Sequence, residues 1–200
     1  MMKSIAWMLS IGIFAQAVII QNVFAQDITP PATCNFGAAN TSAPPEIEQF
    51  AFLIGDYKVT LHAWQGENWS PPSPGVTARW NGRYGLNGMA IIDEWYNPDP
   101  AQNASAGLMQ GINVRMYDPD AEEWDMMWVA TGGHQVQDLR AKILDDKLTM
   151  WQVYPERESF RAEFNVIDDD QWNRISFIKN DEDLWVPQFK LAATRIPCDG

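Results

Sequence analysis

From Gly55 onward the chain is a series of short segments in which apolar and polar residues alternate, separated by residues typical of turns. Alternation with a period of two indicates half-buried β-strands, and no segment between them has the length of a crossover helix. The predicted strands are centred on residues 57–65, 75–84, 89–96, 107–117, 123–131, 135–144, 147–154, 159–167, 172–178 and 184–196. The pattern predicts an all-β fold, a single up-and-down antiparallel β-barrel of about ten strands, because one sheet of this size closes rather than leaving exposed edges.

The alternation also predicts which face of each strand points into the barrel. In residues 77–84 one face carries Thr, Arg and Asn, so we expect the opposite face to lie inside. That opposite face consists of Ala78, Trp80, Gly82 and Tyr84. The inward residues expected for later strands are Phe160, Ala162, Phe164, Val166, Ile175, Phe177, Trp185, Phe189, Leu191 and Ala193. Barrels of this size either fill their interior with side chains or hold one small ligand.

The segment before the barrel is predicted to be irregular. Residues 26–49 are rich in Pro, Ala, Thr and Asn and show no apolar period. A short helix is expected within residues 44–54, where Pro and Glu stand in the first turn, apolar residues fall on one side and Gly55 would end it. The barrel domain is therefore predicted to span residues 50–198.

Residues 1–25 are predicted to be a secretory signal peptide that is cleaved. Lys3 supplies the basic start, residues 4–20 form an uncharged apolar run, and Val23 and Ala25 are the small residues expected before a cleavage site. The apolar run is at the short end for a membrane span, so a retained anchor is the less favoured alternative. We therefore expect an exported protein, secreted or periplasmic, with no integral membrane segment after cleavage.

The chain contains two cysteines, Cys34 and Cys198, which stand near the predicted mature N-terminus and near the end of the chain. An exported protein can keep a disulfide, whereas a redox or nucleophilic thiol would need a CxxC spacing or a neighbouring His. We therefore expect Cys34 and Cys198 to pair, which would bring the two ends of the barrel domain together.

The charge of the chain argues against several classes of partner. Its 14 basic and 26 acidic residues give a formal net charge of -12, and the predicted cleavage would remove one lysine and no acidic residue. The field of such a chain repels nucleic acids and anionic membrane surfaces. A hydrophobic fraction of 46% supports a sizeable core. We therefore expect a folded domain that binds no nucleic acid.

Three short parts of the sequence carry a family resemblance. Residues 52–57 include Gly55 and Tyr57, Arg195 lies near the end of the last predicted strand, and residues 111–119 precede a strand with two tryptophans. The first part resembles the Gly-x-Trp motif of the calycin superfamily of lipocalin-like barrels, with Tyr in place of Trp, and Arg195 stands where such barrels pack a basic residue across that ring. The third part is similar to a bacterial domain-of-unknown-function family of such barrels. The resemblance implies a barrel with an interior pocket and structural roles for Gly55, Tyr57 and Arg195, but no particular reaction.

Asp93 and Glu94 are adjacent in a predicted strand, so one of them must point into the barrel. An inward carboxylate in an apolar barrel is expected to have a raised pKa unless it is paired with Arg or hydrogen-bonded, and proton-transfer sites and anchors for polar ligands are made in this way. The candidate cationic partners are Arg115 and Arg140. The alternative is that neither carboxylate takes part in function. The Asp is then solvated, and the Glu has an Arg counter-ion and a structural role.

The chain has two histidines, which limits the scope for metal sites and catalytic triads. His62 is expected at the surface or rim. His134 stands at a strand junction, where an imidazole at the barrel mouth could act as general acid or base with Asp93 or Glu94, and an exposed loop position is the alternative. No metal site and no cofactor is expected, because the ligand spacings of zinc and calcium sites and the nucleotide-binding motifs are lacking.

Aromatic residues supply the predicted ligand-binding surface. Nine of the ten tryptophans follow the predicted signal peptide, and most of them are expected to pack in the core. The residues predicted to line an interior pocket are Trp80, Tyr84, Arg115, Trp128, Trp151, Phe160 and Phe189.

The sequence favours a barrel that binds a small apolar or aromatic molecule. Two alternatives stay open: a barrel enzyme of the isomerase, cyclase or hydrolase type that uses the inward carboxylate and His134, and a filled barrel that acts as an interaction protein.

Overall fold

Ten antiparallel strands form one closed barrel in the computed structural model, which describes residues 34–73, 77–96, 110–131 and 135–198. The strands are β1 (Gly55–Ala63), β2 (Thr77–Gly85), β3 (Ala90–Tyr96), β4 (Gln110–Asp118), β5 (Glu123–Ala130), β6 (Gln135–Leu144), β7 (Lys147–Tyr154), β8 (Phe160–Asp168), β9 (Gln171–Lys179) and β10 (Trp185–Arg195). Each strand pairs with its neighbours in sequence, and β1 pairs with β10. The predicted single up-and-down antiparallel barrel of ten strands is confirmed.

Closure of the barrel leaves every strand paired on both sides, so the sheet has no free edge. The seam between β1 and β10 sets Tyr57 opposite Arg195 and Ala63 opposite Phe189. Because the strands alternate in direction, one end of the barrel holds the start of β1 and the end of β10. The opposite end holds the ends of β1, β3, β5, β7 and β9 and the starts of β2, β4, β6, β8 and β10.

A 3₁₀ helix, Pro45–Leu53, closes the end at which β1 begins, and we call it the plug helix. Its buried residues belong to the same core as the inward side chains of the strands. The Phe50 ring meets Trp124 and Phe164 edge-on, with ring centroids 4.9 and 5.3 Å away. The short helix expected before Gly55 is therefore present, and it packs its apolar side into the barrel.

The residues before the plug helix lie against β2. The backbone amide of Tyr84 donates a hydrogen bond of 2.8 Å to the carbonyl of Phe36. A disulfide joins Cys34 to Cys198, which follows β10, with their Cα atoms 5.7 Å apart. The predicted pairing is confirmed, and it ties both ends of the domain together beside the plug helix.

The predicted signal peptide, residues 1–25, lies outside the described residues. Within the described ranges, no helix is both long and apolar enough to cross a membrane.

The inward faces predicted for β2 and for most of β8 are confirmed. Ala78 and Trp80 are buried in β2, and Phe160, Ala162 and Phe164 are buried in β8. Val166, which was predicted to be inside, is 59% exposed because it lies close to the end of β8.

The inward face of β9 is the opposite of the predicted one. Trp172 and Ser176 are almost completely buried, and Arg174 between them lines the interior, so Ile175 and Phe177 lie on the outer face. The prediction was based on the middle of the strand, where the apolar residues Ile175 and Phe177 lie on the outer face. It missed that Trp172 at the start of the strand shares its face with Arg174.

A β-bulge changes the alternation within β10. The pairing of β10 with β9 shifts register between Pro187 and Phe189. Phe189 faces the interior as predicted, whereas Trp185 lies on the outer face, where the Arg161 guanidinium stands 4.7 Å from its ring centroid. The extra residue of a bulge moves the side chains beyond it to the other face, so the inward position predicted for Trp185 is wrong.

Candidate functional site

The barrel interior contains a cavity of about 400 Å³ in the half away from the plug helix. Its aromatic lining residues are Trp80, Trp95, Trp128, Phe160 and Phe189. Its aliphatic lining residues are Leu61, Leu139, Met150 and Leu191. Its polar lining residues are Asn113, Gln135, Gln137, Gln152, Arg157 and Arg174. Side chains therefore do not fill the interior completely, and the cavity has the size and the mostly apolar wall of a small-molecule site.

Trp80 lies at the centre of an aromatic cluster that forms one wall of the cavity. Its ring stands edge-on to Trp95 and Trp172, with centroid separations of 6.4 and 5.1 Å. The side chain is 3% exposed, and its indole Nε1 is enclosed with no hydrogen-bond partner among the described residues. Trp80 therefore presents an unused N–H donor beside an apolar wall.

Gly111 makes room for Trp128 on another wall. A Cβ atom added at Gly111 would lie 2.1 Å from the Trp128 ring, closer than any side chain tolerates. The position of this indole at the cavity therefore depends on glycine in β4.

Asp93 and Arg115 form an ion pair inside the barrel, with both side chains withdrawn from solvent. The Arg115 guanidinium stands 5.0 Å from the Phe50 ring centroid and 5.7 Å from that of Trp80. The pair therefore lies between the plug helix and the cavity wall. Burial lowers the pKa of Arg115 to about 9, with a further contribution from the nearby Arg174 cation, so the guanidinium stays protonated at neutral pH.

Arg174 is the second inward guanidinium, and it lines the cavity itself. Its guanidinium stands 5.7 Å from the Phe189 ring centroid. Its Nε is enclosed without a hydrogen-bond partner, and no carboxylate of the described chain forms an ion pair with it. Burial lowers the pKa of Arg174 to about 10, which leaves it charged at neutral pH.

Four of the seven residues predicted to bind ligand line the cavity, and they are Trp80, Trp128, Phe160 and Phe189. Arg115 lies behind the Trp80 ring, in the ion pair with Asp93. The structure thus brings together the aromatic residues of four strands that are far apart in sequence.

Tyr84 and Trp151 do not line the cavity, and these two predictions are corrected. Tyr84 lines a separate hollow of about 390 Å³ near residues 37–41, at the end of the barrel closed by the plug helix. Trp151 lies between Met150 and Gln152, which both face the cavity, so the alternation of β7 turns its ring outward.

The two adjacent carboxylates lie on opposite faces of β3. Asp93 is inside, whereas Glu94 is on the outer face, where its Oε1 accepts a hydrogen bond of 2.9 Å from Arg83. The Tyr96 hydroxyl donates to the other oxygen of Glu94, and burial together with this carboxylate raises the pKa of Tyr96. Of the two carboxylates predicted to act with His134, Asp93 is therefore the inward one, whereas Glu94 is not at the cavity. His134 lies outside the described residues, so its action with Asp93 stays a prediction.

Arg140, the other predicted partner of the inward carboxylate, lies on the outside of the barrel. Its Nε stands 2.9 Å from Asp125, and it also forms an ion pair with Asp138. These carboxylates raise the pKa of Arg140, although desolvation acts in the opposite direction and is the largest single influence. Of the two candidate cationic partners, Arg115 pairs with Asp93 and Arg140 does not.

His62 is held by two local contacts. Its Nδ1 lies 2.9 Å from the Ser70 carbonyl and its Nε2 lies 3.0 Å from the Thr60 hydroxyl. Because a carbonyl can only accept, Nδ1 carries the proton and donates it to Ser70. No group of three His, Cys, Asp or Glu that could hold a metal ion occurs within the described residues.

Gly55, Tyr57 and Arg195 adopt the arrangement that the calycin resemblance implies. The Arg195 guanidinium stands 4.7 Å from the Tyr57 ring centroid and donates a hydrogen bond of 3.0 Å to the Ile54 carbonyl. A Cβ atom at Gly55 would lie 2.2 Å from the guanidinium, and its φ of +139° suits glycine. Burial raises the pKa of Tyr57, although Arg195 acts in the opposite direction.

Sequence reasoning missed most of the polar cavity residues. Asn113 shares its face with Arg115, two residues further along β4, so the alternation could have identified it. Arg174 could have been found from Trp172 in the same way. Arg157 lies in the connection from β7 to β8, where no period exists to indicate the direction of a side chain.

Comparisons with known proteins add only to the description of the fold. No family model matches the chain, and no curated protein matches it. The S-type phycobiliprotein lyase CpeS from Guillardia theta is 11% identical over 76% of this chain and 93% of that one, with a TM-score of 0.47. Rv2717c from M. tuberculosis is 7% identical over 78% of this chain and 99% of that one, with a TM-score of 0.46.

Proposed function

We propose that the protein binds a small apolar or aromatic molecule in the interior cavity. The observation that carries the proposal is the cavity of about 400 Å³ with five aromatic and four aliphatic side chains in its wall. Pockets of roughly 300 to 1,000 Å³ with apolar walls and a few polar groups are typical of small-molecule sites. The rings can meet an aromatic ligand by offset stacking or edge contacts.

We further propose that the protein works after export, in a secreted or periplasmic setting. The disulfide between Cys34 and Cys198 supports this location, because disulfides persist in oxidising compartments and are rare in the cytosol. Cell fractionation tests it, with sequencing of the mature N-terminus, for which we expect Gln26. Recovery of the intact chain from the cytosol would contradict it.

Binding is tested with N-phenyl-1-naphthylamine, a neutral dye whose fluorescence rises in apolar surroundings. The protein is purified from cells that express the full chain. We expect saturable binding of one dye per chain. Leu139→Trp, in the cavity wall, should abolish it by filling the space, whereas Val153→Trp, on the outer face of β7, should leave the affinity unchanged.

Circular dichroism and thermal unfolding establish that both variants fold, and Leu191→Phe is a milder substitution in the same wall should Leu139→Trp unfold. Two results would overturn the proposal. One is a wild-type protein without saturable dye binding. The other is a folded wall variant that binds the dye as tightly as the wild type.

A further inference from the structure

The charges inside the barrel indicate the chemical class of the ligand, and this inference rests on the proposed function. We propose that the cavity takes up a small carboxylic acid in its anionic form, with an aromatic or aliphatic body, and that Arg174 binds the carboxylate.

Among the described strands, three charged residues face inward at the cavity or directly behind its wall. A fourth, Arg195, faces inward at the plug-helix end, where it pairs with Asp170. Asp93 and Arg115 neutralise each other in their ion pair. Arg174 has no such partner in the described chain, and it is the one of the three that lines the cavity. The interior therefore carries one net positive charge, located where a ligand would lie.

A cation without a counter-ion is costly in an apolar interior. The Phe189 ring at 5.7 Å compensates part of this cost through its quadrupole. A monoanionic ligand would compensate the rest, because a guanidinium and a carboxylate can form two parallel hydrogen bonds. A neutral ligand would leave the charge of Arg174 unpaired in the cavity wall.

Two enclosed N–H groups at the cavity also lack an acceptor. They are the Nε of Arg174 and the indole Nε1 of Trp80. An ionised carboxylate is acceptor-only, so it suits a wall with spare donors. The Asn113 side-chain oxygen is also enclosed without a partner, but the amide can turn to present its N–H instead, so Asn113 does not oppose this polarity.

The number of charges favours a carboxylate over a doubly charged phosphate. One net positive charge is neutralised by one carboxylate, whereas a dianion would leave an excess negative charge inside. Arg157 also borders the cavity, but it is exposed and stacks on Phe160 at 5.0 Å, so water and salt screen its charge.

The outer surface does not share this preference for anions. The whole chain has a net charge of -12, so its long-range field repels an anion. Affinity for a carboxylate must therefore come from the interior. A substitution of Arg174 alone can therefore test the proposal.

The test compares 2-naphthoate with 2-naphthamide, which share a ring system and differ in charge, by isothermal titration calorimetry at neutral pH. We expect the wild type to bind the naphthoate at least about tenfold more tightly, in keeping with hydrogen bonds to charged groups. Arg174→Gln should remove that preference and leave the affinity for the amide nearly unchanged. Arg161→Gln is the matched control, since Arg161 stacks on Phe177 outside the barrel, and it should retain the preference.

The possible outcomes distinguish a failure of the carboxylate inference from a failure of the proposed binding function. Equal affinity of the wild type for naphthoate and naphthamide, or an undiminished preference in Arg174→Gln, would overturn the carboxylate inference while the binding function stands. Absence of binding of both compounds and of the neutral dye would overturn the binding function itself. Should Arg174→Gln fail to fold, the comparison of the two compounds on the wild type still decides.

Discussion

Asp93 and Arg115 form an ion pair in which the two side chains are 0% and 1% exposed. Removing either partner leaves an uncompensated charge in the interior. We expect Asp93→Leu or Arg115→Met alone to lower the free energy of unfolding by about 3–5 kcal/mol. The double variant should lose much less than the sum of the two, because it leaves neither charge unpaired. Urea unfolding of the four proteins measures these differences.

Glu94→Gln provides a control in the same strand. Glu94 is 24% exposed on the outer face and pairs with Arg83, so its loss should cost less than about 1 kcal/mol. Equal losses from the Asp93 and Glu94 variants, or strict additivity in the double variant, would contradict a coupled interior pair.

The ten strands could be predicted because alternation and turn residues are local signals. In β2 every residue of one face is polar or charged from Thr77 to Arg83, so the orientation of Trp80 followed directly. Likewise, adjacency in one strand required one of Asp93 and Glu94 to face inward. Which of them does so depends on the register that sets Trp95 opposite Trp80, and that register is a property of the folded sheet.

The cavity could be predicted only in part, because several of its residues break the simple rule that apolar side chains face inward. In β9 the outward Phe177 is covered by the Arg161 guanidinium at 5.1 Å, a contact between strands that cannot be seen in either segment alone. This cover lets an aromatic residue lie outside while Arg174 lies inside. Trp151 shows the same limit, because a high density of tryptophan does not indicate which ones face the ligand.

Gly82 is expected to be essential for seating the plug helix. A Cβ atom at Gly82 would lie 1.9 Å from the Leu53 carbonyl oxygen, which belongs to the backbone and cannot rotate away. We expect Gly82→Ala to lower the free energy of unfolding by about 1–3 kcal/mol, as overpacking does. Urea unfolding measures the loss.

Gly111→Ala is the informative comparison, because there the obstacle is the far edge of the Trp128 ring. The ring can move into the cavity, so we expect a smaller loss of stability than in Gly82→Ala and a weaker affinity for N-phenyl-1-naphthylamine. Unchanged dye affinity in a folded Gly111→Ala protein would show that Trp128 does not shape the binding space.

The disulfide is expected to stabilise the fold without shaping the cavity. It joins residues separated by 164 positions, and the chain-entropy account gives at most about 5 kcal/mol for a loop of this length. Cys34→Ser with Cys198→Ser should therefore lower the stability by about 2–5 kcal/mol and leave dye affinity unchanged, because the bond lies at the plug-helix end. Reductant should reproduce the loss in the wild type and have no effect on the double variant. A variant as stable as the oxidised wild type would argue against this role.

The Tyr57 hydroxyl should make stability fall at alkaline pH. It is buried and donates a hydrogen bond of 2.7 Å to the Phe52 carbonyl, and burial raises its pKa above the ordinary value of 10.0. The folded protein therefore keeps this proton at a pH where the unfolded chain loses it. The contribution of Tyr57 to the free energy of unfolding is full below about pH 10 and is lost as pH rises through the folded pKa.

Tyr57→Phe should lower the free energy of unfolding by about 1 kcal/mol at neutral pH through the lost hydrogen bond and should flatten the alkaline decline. Urea unfolding between pH 7 and 11 measures both effects, with Tyr154→Phe, at a tyrosine that is 67% exposed, as the control. An alkaline decline as steep in Tyr57→Phe as in the wild type would assign the effect to another group.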